Sequence, residues 1–109
     1  MKTAYDCAPV KRVTAWALTF NGERAGKLVA AYGRSRVTCT ISAWLGPLKD
    51  YEKMTGWASG YGYHKLSAAM EDALDRAKVP LKHDSINGRG DSAMREFFEA
   101  QGYQVLEVL

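Results

Sequence analysis

Between Val10 and Trp44 the chain alternates with period two. Trp16, Leu18 and Phe20 stand on one side of Ala15, Ala17 and Thr19, and Val37, Cys39, Ile41 and Ala43 alternate with Thr38, Thr40, Ser42 and Trp44. Successive side chains of a strand point to opposite faces, so this spacing predicts strands with one apolar face each. The dipeptide Asn21-Gly22 is a strong hairpin signal, and "GRSR" at 33–36 supplies a second turn, giving a three-stranded antiparallel meander. A strict two-residue loop would set Trp16 opposite Lys27. A loop one residue longer, with Gly22 at a bulge, sets Trp16 opposite Leu28 and keeps the apolar faces together, so the longer loop is expected.

The stretch "LGPLKDYEKMTGWASGYGY" breaks the alternation with Gly46, Pro47, Gly56, Gly60 and Gly62, and reads as a long connection with room for a short extended piece. Connections of this length tend to be functional. From Leu66 the period changes: Leu66, Ala69, Met70, Ala73, Leu74 and Ala77 form one stripe of an amphipathic helix, with Glu71, Asp72, Asp75, Arg76 and Lys78 outside and Pro80 as the stop. A polar segment, "KHDSINGRGD", leads to a second helix with Asp91 or Ser92 as N-cap, Ala93, Met94, Phe97 and Phe98 as its buried side, and Gly102 as the left-handed residue that ends it. The closing "YQVLEVL" is rich in strand formers and should rejoin the sheet. The expected fold is therefore one α+β domain over 1–109, ordered βββααβ, a two-layer sandwich with both helices on one face.

Composition narrows the function classes. Hydrophobic residues at 47% and charged residues at 25% fit an ordinary globular domain, and 109 residues suffice for one core. No apolar run reaches the length of a signal-peptide core or a membrane span, which points to the cytoplasm and away from membranes. Cys7 and Cys39 lack metal-ligand spacing to each other or to His64 and His83, so neither zinc nor a disulfide is expected. The net charge of +3 conceals an asymmetry: residues 1–65 hold ten bases against four acids, and residues 66–109 hold five against eight. Such a dipole offers an anionic partner one part of the chain and a cationic partner the other.

Three groups of residues bear on chemistry. Gly60 and Gly62, just ahead of the first helix and followed by Lys65, suit an anion at a helix N-terminus, with Arg34 and Arg36 as further cations. The spacing is neither that of a Walker A loop nor that of a dinucleotide fold. Arg34, Arg36, Lys11, Arg12, Lys49, Lys53 and Lys65, interleaved with Trp57, Tyr61 and Tyr63, give a basic rim with stacking groups of the kind that binds nucleic acid, although the sheet face opposite the helices offers mostly Ala, Thr and Ser. Nucleophilic catalysis has weak support: Cys39 lies mid-strand on the apolar side, and His83-Asp84 has no third member. The tripeptide "RGD" at 89–91 reads as a helix cap.

Two resemblances add to this. "AMREFFEAQGYQVLEV", with the glycine-rich "GYGYHK", resembles the closing helix and strand and the coenzyme A loop of the Gcn5-related N-acetyltransferases. That likeness implies an acetyl-coenzyme A enzyme in which Gly60, Gly62 and Tyr63 hold the pyrophosphate and Tyr103 is a general acid. "GYGYHKLSAAMEDAL", "GRGDSAM" and "GYQVLEVL" together resemble small accessory proteins of phages and plasmids, among which anti-CRISPR inhibitors work by covering a host surface. This second likeness implies a non-enzymatic binding protein without a cofactor. Its partner would be a host protein or nucleoprotein, met by Trp57, Tyr61, Tyr63 and Lys65 in the loop and by Glu71, Asp72 and Asp75 on the first helix. The acetyltransferase and a nucleic-acid-binding module are the alternatives, and the oligomeric state is left open.

Overall fold

The computed structural model describes residues 12–34, 36–59, 66–80 and 91–108. Five strands, β1 (Arg12–Phe20), β2 (Glu23–Tyr32), β3 (Arg36–Ala43), β4 (Met54–Ser59) and β5 (Tyr103–Glu107), form one antiparallel sheet in the order β4-β3-β2-β1-β5. Helices α1 (Leu66–Arg76) and α2 (Asp91–Ala100) cover one face, so the α+β fold, the meander and the returning C-terminal strand are present.

The first hairpin sets Trp16 opposite Leu28 by a different route from the one expected. Asn21 and Gly22 both take positive φ, 53° and 81°, and close a two-residue turn with Phe20 opposite Glu23. The extra residue enters one step later: Leu18 faces Gly26 and Thr19 faces Arg24, so Ala25 is the bulge that restores the apolar register. Gly26 must lack a side chain there, since a Cβ would run into the Ser42 carbonyl of β3.

The long connection contains a fifth strand, which corrects the expected four-stranded sheet. Met54, Gly56 and Ala58 face the helices and Thr55 and Trp57 face away, in register with β3 through Ile41↔Met54 and Thr38↔Trp57. Gly56 is what lets α1 lie on β4, because a Cβ at that position would strike the backbone of Ala69 and Ala73. Helix α1 ends before Pro80 acts. Lys78 adopts φ 59°, its N–H bonds the Asp75 carbonyl at 3.0 Å, and Val79 N–H reaches back to Leu74 at 3.0 Å, a Schellman close with buried Val79 as its apolar contact. Helix α2 ends as expected, with Gly102 at φ 100°.

The core is a single cluster. Trp16, Leu18, Leu28, Cys39, Ile41 and Met54 from the sheet meet Leu66, Met70 and Leu74 of α1 and Met94, Phe97 and Phe98 of α2. At the end of the sheet that holds the Asn21-Gly22 turn, Tyr103 is buried with its hydroxyl donating to the Leu45 carbonyl at 2.8 Å and accepting from Leu48 N–H at 2.9 Å. That pair of bonds ties β5 to the 3-10 turn Pro47–Asp50. No helix among the described residues is long and apolar enough to cross a membrane.

Candidate functional site

Among the described residues nothing packs over the sheet face opposite the helices, and strand alternation decides what this uncovered face shows. Val13, Ala15, Ala17 and Thr19 of β1, Arg24, Lys27, Val29 and Ala31 of β2, Arg36, Thr38, Thr40 and Ser42 of β3, and Thr55 and Trp57 of β4 point away from the helices. The small and hydroxylated side chains are those expected for this face; its cations and tryptophan are not. The face divides in two. Over β1 and β5 it exposes Val13, Leu106 and Val108 beside the polar Thr19–Gln104 pair. Over β2, β3 and β4 it carries Arg24, Lys27 and Arg36, and none of the described strand residues that alternate onto this side is a carboxylate.

Arg36 and Trp57 are brought together: the guanidinium lies 4.6 Å from the centroid of the indole, which is 42% exposed. A cation held over an aromatic face is attracted by the ring quadrupole. Arg34 is exposed in the adjoining turn, and on the helix side of the same sheet end Arg12 stacks over Tyr32 at 4.0 Å. At the opposite end of β3, Trp44 continues the alternation of Ser42, is 52% exposed, and donates its indole N–H to the Arg24 carbonyl at 3.1 Å. Trp57 was expected in a loop; it stands on β4, where the pleat fixes its direction.

The acidic residues of α1 play separate parts. Glu71 and Asp75, one turn apart, are exposed on the outer surface of the helix. Asp72 is turned toward the sheet, where its carboxylate accepts Trp57 N–H at 3.1 Å and Arg76 Nε at 2.9 Å. It caps the edge of β4 at Trp57. The other edge is closed in the same manner: Arg95 of α2 donates to the Val105 carbonyl of β5 at 2.8 Å. Charged side chains set into exposed edges discourage strand addition from another chain. Trp57 and the Glu71–Asp75 row lie on opposite sides of the sheet.

Gly60, Tyr61, Gly62, Tyr63 and Lys65 fall outside the described residues, as do Lys11, His64, His83 and Asp84. Two residues considered for chemistry are committed elsewhere. Cys39 is fully buried in β3, and burial pushes its thiol up to about 12, far from a reactive thiolate. Tyr103 makes both of its hydroxyl bonds to backbone, and burial raises its pKa, opposed by the bond from Leu48. Arg24, Lys27 and Trp44 were missed as site residues, although their parity with Thr40 and Ser42 across the hairpins was readable once the register was set. Comparison with protein-family models, with curated proteins and with solved structures gives no significant match.

Proposed function

We propose that this chain is a non-enzymatic binding protein that occupies the surface of a host protein or nucleoprotein, with the uncovered sheet face as its contact side. The observation that carries the reading is the Arg36–Trp57 pair, a large exposed ring with a cation stacked on it, both carried on strands of the sheet. Interfaces are anchored by such Trp and Arg side chains. The burial of Cys39 and the two backbone bonds of Tyr103 support a role without bond-making chemistry. An anti-defence inhibitor carried by a mobile element, of the anti-CRISPR kind, needs nothing more than this, and acts in the cytoplasm of the host.

The test is affinity capture from host lysate with and without nuclease, using the wild-type chain and Trp57→Ala. The variant should lose its captured partner while keeping its far-UV circular dichroism and melting temperature. Capture that survives Trp57→Ala removes this face from the function. A marked rise in melting temperature with acetyl-coenzyme A, the linkage expected of a bound cofactor, would instead favour the acetyltransferase.

A further inference from the structure

The cationic half of the uncovered face suits one kind of partner, and we infer that it binds single-stranded nucleic acid, a reading that rests on the binding role above and names the ligand. The argument begins with charge. Arg24 and Lys27 on β2 and Arg36 on β3 stand on the uncovered side, no carboxylate shares that half among the described strand residues, and Glu71 and Asp75 are exposed on the helix side. A polyanion approaching this half of the sheet is attracted by Arg24, Lys27 and Arg36, while Glu71 and Asp75 repel it from the other side.

Geometry then selects unpaired strands. Trp57 and Trp44 lie toward the two ends of the track, Trp57 beside Thr38 and Trp44 just past the end of β3, six residues on from Thr38 and on the order of 20 Å away at the rise of a strand. Arg36 stacks on Trp57, and the Trp44 indole N–H is held by the backbone carbonyl of Arg24. Aromatic rings spaced along a positive track accept bases whose faces are free, which a duplex conceals. The Thr and Ser hydroxyls of β3 line the interval and can donate to phosphate oxygens. A second copy of the chain is disfavoured, because a two-fold pairing of this half would set like charges against each other. Strand addition is disfavoured by Asp72 and Arg95 at the two edges.

Fluorescence anisotropy with a labelled oligonucleotide of about 12 nucleotides, as DNA, as RNA and as a duplex, tests this directly. Single strands should bind in the micromolar range at about 50 mM salt, more tightly than the duplex, with a slope of log K against log salt of about −2, the value for three phosphate contacts. Trp57→Ala should weaken binding about five-fold or more. Lys27→Glu, on the exposed side of the central strand, should weaken it at least as much, whereas Lys78→Glu, the same charge change at the end of α1, should leave it within about two-fold. Both glutamate variants change exposed residues, and unaltered circular dichroism confirms the fold. No binding at low salt, or equal losses from Lys27→Glu and Lys78→Glu, overturns the inference. Nuclease-resistant, Trp57-dependent capture without oligonucleotide binding would sink it while leaving the binding role standing.

Discussion

The two ends of the sheet spend their aromatic residues differently. At the end with the Asn21-Gly22 turn, Tyr103 is packed against Phe20 at 5.4 Å and Phe98 at 6.1 Å between ring centroids, and its hydroxyl is used twice by backbone. Gly46 and Gly102, both at positive φ, let the chain pass close to these rings. At the other end Trp57 and Tyr32 hold arginines on opposite faces of the sheet. Rings that close a core are shielded and fully bonded; rings that present a surface are exposed and charged at their faces. Tyr103 stabilises the fold and the Arg36–Trp57 pair is available for recognition, so substitutions at these two groups should separate stability from binding.

The largest effect on stability belongs to the Tyr103 end. Tyr103→Phe leaves Leu48 N–H and the Leu45 carbonyl without their partner, and should cost about 2–4 kcal/mol in urea unfolding. A loss below about 0.5 kcal/mol would mean that water replaces the hydroxyl without penalty.

Alkaline pH gives a second, somewhat smaller effect through the buried core. The folded Cys39 thiol titrates at about 12 against 9.0 for an unhindered one, so the unfolded chain gives up its proton first. Stability is then complete below pH 9.0 and falls as pH rises toward 12, with Tyr103, also raised, acting in the same direction above pH 10.0. By about pH 10.5 the loss should be on the order of 2 kcal/mol, and Cys39→Ala should flatten the slope. A stability that stays level through this range would place the thiol in contact with solvent.

Arg36→Ala should have the smallest effect on the fold, less than about 1 kcal/mol for an exposed cation–π pair, while it weakens partner binding. Were it to destabilise as much as Tyr103→Phe, the contrast between the two ends would fail.

Much of the architecture was legible because its signals are local. Period-two alternation located β1, β2 and β3, the 3.6-residue stripe located α1, and the demand that apolar faces coincide set Trp16 opposite Leu28. The bulge was misplaced because the sequence does not say which residue absorbs the offset: Asn21 and Gly22 prefer the tight turn, and Ala25 takes the irregularity instead. Strand β4 was obscured because its inward positions after Met54 are Gly56 and Ala58, small residues that read as a loop until α1 is seen resting on them. The role of Tyr103 depends on carbonyl and amide groups more than fifty residues away, and the edge-closing roles of Asp72 and Arg95 depend on helix placement, neither of which a local pattern contains. Of the candidate site, Trp57 and Arg36 could be named from composition and spacing. Their pairing, and their separation from Glu71 and Asp75, required the sheet.

The chain has three tryptophans, and their indole N–H signals in a two-dimensional NMR titration report on the core and the uncovered face at once. With a single-stranded oligonucleotide as titrant, the signals of Trp57 and Trp44 should shift progressively while that of buried Trp16 stays in place. A titration that moves none of the three, or moves Trp16 while leaving Trp57 and Trp44 unchanged, would contradict the assignment of the uncovered sheet face as the working surface of this protein.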